Sequence, residues 1–278
     1  MKVTIKNLTF KNPILLASGT YGLGTKFIGV INKMGGIITK GITVNERFGN
    51  PLPRIIETPS GILNSVGLEN PGVKKFKEKI LPILSKLNTH IFVNIAGTTI
   101  EEFIILTEEL GETEISGLEI NLSCPNIKNR QRLPAQSPKL VSKIVSAIRK
   151  RTNKFLIAKL TANFVDPLDT ARAAIDSGVD AVSLINTLYG IAFDINTKKP
   201  ILGGITGGLS GPAIKPFALY CIWHIKQKLD IPIIGGGGIM NANDVKEFIL
   251  AGAKLVAIGS GNLVDPFLGL KILKELED

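Results

Sequence analysis

The chain has 278 residues, and its 33 Lys and Arg against 23 Asp and Glu give a formal net charge of +10. A hydrophobic content of 44% excludes an intrinsically disordered protein. No apolar run reaches the roughly 18 residues of a membrane-spanning helix, and the strand-like alternation that begins at Met1 leaves no room for a signal peptide. We therefore expect no contact with a membrane. The two cysteines are too few for a disulfide framework, which favours a cytoplasmic location.

The positive charge is spread along the chain rather than gathered into one patch. Lysines are mixed with acids in helical segments such as 74–79, and aromatic residues make up only 6% of the chain. A nucleic-acid-binding surface would combine clustered cations with aromatic side chains. The pattern indicates a solvated basic surface that attracts anionic small molecules, and it predicts no nucleic-acid partner.

Short β-branched, apolar runs alternate along the chain with segments of helical period. The predicted strands are, in order, Ile14–Ala17, Gly36–Thr39, Ile91–Ile95, Gly117–Ile120, Phe155–Leu160, Ala181–Ile185, Ile231–Gly235 and Leu255–Ile258. The predicted helices include Ile100–Leu110, Pro138–Arg151, Pro167–Ser177, Ala213–Leu229 and Ala242–Ala251. Apolar strands that alternate with helices form parallel sheets covered on both faces. Eight repeats in 278 residues favour one α/β domain over residues 1–278, a closed (β/α)8 TIM barrel, rather than an open doubly wound sheet.

Two segments lie outside this eightfold pattern. Residues Met1–Phe10 alternate as a hairpin does, and we expect them to close the barrel floor. Residues Leu52–Leu63 are rich in Pro and Gly and predict a β-insertion over the top of the barrel after strand 2.

Each predicted strand is followed by, or ends in, a lysine, a carboxamide, a hydroxyl or a glycine. These positions are Ser18-Gly19, Lys40-Gly41, Asn94, Asn121, Lys159, Asn186-Thr187, Gly235–Gly238 and Gly259-Ser260. In a barrel the carboxyl ends of the strands converge on one mouth, where active sites lie. Since these ends carry no Asp, Glu or His, the sequence predicts a site for a planar, polar, anionic ligand without a metal.

Two glycine clusters indicate where a phosphate would bind. Gly235–Gly238 follow strand 7 and Gly259–Gly261 follow strand 8, the usual barrel position for backbone N–H groups that hold a phosphate. The chain has no Gly-Lys-Ser/Thr of a P-loop, and the clusters lack the acidic ribose-binding residue of a Rossmann unit.

The two cysteines have different surroundings. Cys124 lies just past strand 4 and is followed by Pro and Asn, so we expect a loop thiol that could serve as a general base if its neighbours lower its pKa. Cys221 lies in the apolar run 218–223 and is predicted to be a buried core thiol. His90 and His224 fall away from the mouth, which argues against a Cys–His protease.

Several motifs in this chain resemble those of the dihydroorotate dehydrogenase family. They are NLSCPN at 121–126, NSVGL at 64–68, LINTL at 184–188, GGLSGPAIKP at 207–216 and VDPF at 264–267. The resemblance spans essentially the whole chain and is to class 1, specifically the 1B catalytic subunit. Class 2 enzymes carry an N-terminal membrane-associating extension and a serine base, and the fumarate-using 1A enzymes differ in the segment that matches 207–216.

The resemblance implies FMN in the barrel mouth, with dihydroorotate stacked on its ring and Cys124 as the base. The residues that it implies for the flavin are Ser18, Lys40, Gly41, Asn94, Asn121, Lys159 and Ile185, with Gly211, Gly237, Gly238, Gly259 and Ser260 at the phosphate. Those that it implies for the substrate are Lys40, Asn64, Ser65, Val66, Gly67, Leu68, Asn121, Asn186 and Thr187. It also implies orotate as product, a homodimer core within a heterotetramer, and an electron-transfer subunit that carries FAD and a 2Fe–2S cluster and reduces NAD.

The residue chemistry agrees with these roles. The Lys159 ammonium can stabilise negative charge that arrives on the flavin, and it is assigned to catalysis with Cys124. Carboxamides both donate and accept hydrogen bonds, which matches the edge of a pyrimidine ring, and Lys40 can neutralise a carboxylate.

The chain departs from the family in two places. It reads Lys-Leu-Thr-Ala-Asn at 159–163 where the family has Lys-Leu-Ser-Pro-Asn, and the loop 127–138 is basic and lacks the usual glycines. The kinetics of a lid formed by that loop therefore stay open. Two alternatives also stay open, namely a 1A-like enzyme that passes electrons to fumarate or another soluble acceptor, and a non-catalytic flavin- or phosphate-binding barrel.

Overall fold

A closed barrel of eight parallel strands forms the centre of the protein. The computed structural model describes residues 1–123 and 134–277. The strands are β1 (Val3–Ile5), β2 (Leu8–Phe10), β3 (Ile14–Leu16), β4 (Gly36–Ile38), β5 (Ile55–Thr58), β6 (Gly61–Asn64), β7 (His90–Ile95), β8 (Gly117–Asn121), β9 (Phe155–Lys159), β10 (Ala181–Leu184), β11 (Leu188–Gly190), β12 (Phe193–Asp194), β13 (Lys199–Pro200), β14 (Gly207–Ser210), β15 (Ile233–Gly235) and β16 (Leu255–Ile258). The barrel order is β3-β4-β7-β8-β9-β10-β15-β16, so the predicted (β/α)8 fold is confirmed.

Helices lie between the barrel strands. They are α1 (Ile28–Ile31), α2 (Val73–Lys75), α3 (Leu81–Leu84), α4 (Ile100–Gly111), α5 (Pro138–Arg149), α6 (Pro167–Asp176), α7 (Lys215–Lys226), α8 (Ala242–Leu250), α9 (Gly261–Val264) and α10 (Leu268–Glu277), with a π-turn at Phe76–Ile80 and 3₁₀ turns at Pro134–Gln136 and Pro212–Ile214. Helices α4, α5, α6 and α8 begin at Thr99, Ser137, Asp166 and Asn241, whose side chains accept a backbone N–H of the first turn. No helix in the two described segments is long and apolar enough to cross a membrane.

The hairpin β1–β2 closes the barrel floor, as predicted. Its strands pair antiparallel, with Val3 opposite Phe10. Buried Ile5 and Phe10 pack in one cluster with Leu15, Ile38 and other inward-facing strand residues. A second and larger apolar cluster fills the layer between the strands and the helices. The barrel interior is therefore solid below and leaves its free volume at the opposite end.

The predicted insertion after strand 2 is part of a larger sheet. Strands β5 and β6 pair with each other and join β14 and β11 in an antiparallel sheet of order β11-β14-β6-β5. The sequence did not predict β11 or β14, because they are three and four residues long and β14 begins with two glycines. The sheet brings the segment after β10 and the segment before α7 to the same side of the mouth.

Candidate active site

A cavity of about 690 Å³ opens at the carboxyl ends of the barrel strands. Most of the residues predicted for the site line it, namely Ser18, Lys40, Gly41, Asn64, Ser65, Val66, Gly67, Leu68, Asn121, Lys159, Ile185, Asn186, Thr187, Gly237, Gly238, Gly259 and Ser260. Asn94 and Gly211 are not part of this lining. Asn94 is fully buried behind Gly41, and the carbonyl of Gly211 lies behind Gly238. Such a volume is sufficient for a cofactor or a small ligand.

A chain of polar side chains crosses the bottom of the cavity. Register pairs Asn94 with Glu119 and Asn121 with Lys159 on neighbouring strands. Asn94 Nδ2 donates to Glu119 Oε1 at 2.6 Å, and Asn121 Nδ2 donates to Asn94 Oδ1 at 3.3 Å. The Lys159 ammonium lies 3.7 Å from Glu119 Oε1. Asn94 therefore orients Asn121 from behind, and Lys159 is one half of an ion pair.

Glu119 is a residue that the strand-end pattern missed. It is completely buried, and its Oε2 has no hydrogen-bond partner in the described parts of the chain although it lines the cavity. A side-chain period of two puts residues 117, 119 and 121 on the same face of β8, so the position of Asn121 already places Glu119 inside the barrel. The strand-end pattern, which contains no Asp, Glu or His, therefore left out an acidic side chain of the cavity.

The opposite side of the cavity is built from backbone. The N–H groups of Gly237, Gly238, Gly259 and Ser260 donate to no acceptor within residues 1–123 and 134–277. Gly238 has φ +83°, and a Cβ there would lie 2.7 Å from the carbonyl oxygen of Gly211. Only glycine can therefore occupy that position without moving the chain. These backbone donors, which have no partner in the described residues, lie beside the start of α9 in an arrangement suited to an anion, and we call them the anion cradle.

A partly buried cluster of charged side chains lies behind this cradle. Lys215 Nζ lies 2.6 Å from Asp244 Oδ1 and 2.9 Å from Glu247 Oε2, and its hydrogen bond to Asp244 raises the pKa of Lys215. Asp244 Oδ2 accepts the backbone N–H of Met240 and of Asn241, which follow the glycines. The pair thus connects α7 and α8 to the end of the glycine segment.

The segments that follow β8, β9 and β10 supply a second group of polar side chains. Asn186 Nδ2 donates to Ser123 Oγ at 2.5 Å, and Ser123 Oγ is 3.3 Å from Asn121 Oδ1. Asn163 Nδ2 donates to the carbonyl of Thr187 at 2.9 Å, so the segment that departs from the family pattern still has a defined position. Ser123 and Asn163 line the cavity without having been predicted to do so.

Three charged side chains, those of Lys40, Arg54 and Glu69, lie together at the wall of the cavity. Lys40 Nζ donates to Glu69 Oε2 at 3.1 Å, and Arg54 Nη1 lies 3.2 Å from the same oxygen. The Lys40 ammonium holds the pKa of Glu69 below its usual value, with a smaller contribution from Arg54. All three residues line the cavity, and only Lys40 was predicted.

Of the two cysteines, only Cys221 lies in the described part of the chain. Cys124 lies outside the described residues, as do residues 127–133 of the loop 127–138. Cys221 is in α7, buried among apolar side chains, and burial raises its pKa to about 11. That environment makes Cys221 inert as a base at neutral pH.

The geometry defines a class of protein: a (β/α)8 barrel whose mouth combines an anion cradle with a row of carboxamides and paired lysines. Comparison with known proteins identifies the family. The sequence model of the family described as dihydroorotate dehydrogenase matches residues 1–278, and the chain belongs to that family of oxidoreductases.

Similar proteins agree with this assignment. The Dihydroorotate dehydrogenase B (NAD(+)), catalytic subunit, of Bacteroides fragilis is 45% identical over 281 residues, which cover 100% of this chain and 93% of that protein. The protein of the same name from Geotalea uraniireducens is 44% identical, with 100% and 92% covered. In fold, the chain is similar to the crystal structure of DHODH in complex with ferulenol from Eimeria tenella, with a TM-score of 0.81, 23% identity, and 99% and 83% covered.

Proposed function

We propose that this chain is the FMN-carrying catalytic subunit of a class 1B dihydroorotate dehydrogenase, which oxidises (S)-dihydroorotate to orotate in pyrimidine biosynthesis. The observation that carries the proposal is that three features lie in one cavity. They are the anion cradle, the Lys159–Glu119 pair and the carboxamide side chains of Asn64, Asn121 and Asn186. The 1B assignment draws its support from relatives that are named as catalytic subunits of form B.

The residues present fit FMN. Four backbone donors without protein partners, at 237, 238, 259 and 260, suit its phosphate. The cavity volume of about 690 Å³ leaves room for a flat ring and a small substrate. The buried donors and acceptors at the bottom of the cavity suit the polar edge of a flavin, for which Lys159 supplies a cation. Bound FMN would supply the hydride acceptor for the reaction.

The remaining side chains divide the work on the substrate. Lys40 binds the carboxylate, while Asn64, Asn121 and Asn186 hydrogen-bond to the N–H and C=O groups of the ring. Cys124, which follows Ser123 directly, takes the proton from C5, while C6 loses hydride. Lys159 stabilises the negative charge that accompanies reduction.

The decisive experiment is anaerobic mixing of the yellow holoprotein with dihydroorotate. We expect the flavin absorbance to bleach in one turnover and orotate to appear in equal amount. A yellow protein that binds orotate but never bleaches would be a binding barrel, and the proposed activity would be wrong. Succinate formed rapidly from fumarate in the same mixture would assign the chain to the 1A-like alternative.

The division of roles between the two lysines gives a further prediction. Lys159→Ala is expected to lower the midpoint potential of the flavin and to slow its reduction about 10²-fold, because the cation that would stabilise the negative charge of the reduced flavin is lost. Lys40→Ala is expected to weaken orotate binding instead, with a smaller change in potential. A redox titration of both variants measures the difference. An unchanged potential in Lys159→Ala would contradict these roles.

A further inference from the structure

Glu69 occupies a position that the proposed reaction does not use. Its carboxylate lies between two cations at the cavity wall, 3.1 Å from Lys40 Nζ and 3.2 Å from Arg54 Nη1. Arg54 is itself anchored, since its Nε donates to the carbonyl of Asn50 at 2.5 Å and its Nη2 to that of Phe48 at 2.6 Å. The side chain of Glu69 is 48% exposed and those of Lys40 and Arg54 are each 24% exposed. Glu69 therefore connects Lys40, the lysine proposed to bind the substrate, to an arginine whose own position is fixed by backbone carbonyls.

The charged side chains that line the described part of the cavity leave a net charge of one positive unit. At the bottom, Lys159 and Glu119 form one pair and cancel. At the substrate end, Lys40 and Arg54 face Glu69 alone, which leaves one net positive charge. One net positive charge matches a ligand with one carboxylate. Apart from Lys40, Arg54 and Lys159, no cation of the described residues lines the cavity, so the second charge of a ligand with two carboxylates would meet the negative charge of Glu69 uncompensated.

We propose that Glu69 is a specificity-determining residue: its negative charge beside Lys40 makes the site select monocarboxylates over dicarboxylates. The inference rests on the proposed function, because it takes Lys40 as the carboxylate-binding group. The negative charge of Glu69 repels the second carboxylate of a dicarboxylate acceptor such as fumarate, and the site thereby discriminates against such an acceptor.

The charge dependence makes this role measurable. Coulomb energy is proportional to ligand charge, so removing the charge of Glu69 should act about twice as strongly, in free energy, on a dianion as on a monoanion. The fold-change in Kd for the dianion should then be about the square of that for the monoanion. A merely structural role would shift both ligands by the same factor.

The test uses the FMN-loaded chain at low salt and follows the flavin spectrum during titration with orotate, one carboxylate, or fumarate, two carboxylates. In Glu69→Gln we expect the Kd of orotate to fall about three-fold and that of fumarate about ten-fold, with both changes shrinking at high salt. Glu69→Asp keeps the charge and should retain the selectivity of the unmodified chain. Glu69→Ala removes the charge without adding an amide and should behave as Glu69→Gln does.

Glu109→Gln is the matched control, because Glu109 pairs with Lys77 and is 45% exposed on helix α4, away from the cavity lining. It should change neither Kd. Equal fold-changes for the two ligands in Glu69→Gln, or the same changes in Glu109→Gln, would overturn the role of Glu69 while leaving the proposed function intact. Failure of the unmodified holoprotein to bind orotate would overturn both.

Discussion

Replacement of Cys124 with Ala is expected to slow flavin reduction by dihydroorotate about 10²–10⁴-fold, the usual contribution of a general base. FMN should stay bound, since the backbone donors at 237, 238, 259 and 260 come from other strands. Stopped-flow absorbance under anaerobic conditions measures the rate. Cys124→Ser should recover part of the rate only at elevated pH, because a hydroxyl is a weaker acid than a thiol.

The second cysteine is the natural control for this experiment. Cys221 is buried in α7 with a pKa raised to about 11, so it cannot act on a ligand in the mouth. Cys221→Ala removes only a sulfur atom from a packed site and should leave the reduction rate unchanged, with a modest loss of stability of about 1 kcal/mol. If the two alanine variants reduce flavin at the same rate, Cys124 is not the base.

The barrel was predictable because its signal is repeated eight times. Each strand is short, apolar and followed by a helix, and the observed bounds differ from the predicted ones by at most two residues, as in β15, which begins at Ile233 rather than Ile231. Strands β11 and β14 were missed because a strand of three or four residues rich in glycine has no periodic pattern. Strand β14 pairs with β6, which is distant in sequence, and β11 pairs with β14.

The site was predictable where it lies at strand ends and unpredictable where tertiary contacts form it. Lys40, Asn121 and Lys159 end strands or follow them, so the convergence of a barrel places them together. Glu119 could have been found from strand alternation. Arg54 and Glu69 could not, because the contacts of Glu69 with Lys40 and with Arg54 depend on the path of the inserted sheet over the mouth. No local pattern in the sequence records that path.

The electron acceptor provides the prediction with the largest expected effect. We expect this chain, loaded with FMN and saturated with dihydroorotate, to reduce artificial dyes but not NAD. Among the described residues every parallel strand belongs to the barrel, so no second βαβ unit is available to hold a dinucleotide. A 2Fe–2S centre of the usual kind needs four cysteine ligands, and the chain has two cysteines in all.

We expect a partner subunit to bind the dinucleotide and the iron–sulfur cluster. The name "catalytic subunit" of the relatives likewise implies a second subunit in those proteins. Addition of a partner that carries FAD and a 2Fe–2S cluster should turn NAD reduction on, whereas FAD added alone should not. The comparison is made by following NADH absorbance with chain alone, chain plus free FAD, and chain plus partner. In the proposed arrangement substrate would cover one face of the flavin, so electrons would leave toward another surface of the barrel, where a docked partner would supply the route. NAD reduction by the pure chain at the rate of dye reduction would refute this arrangement.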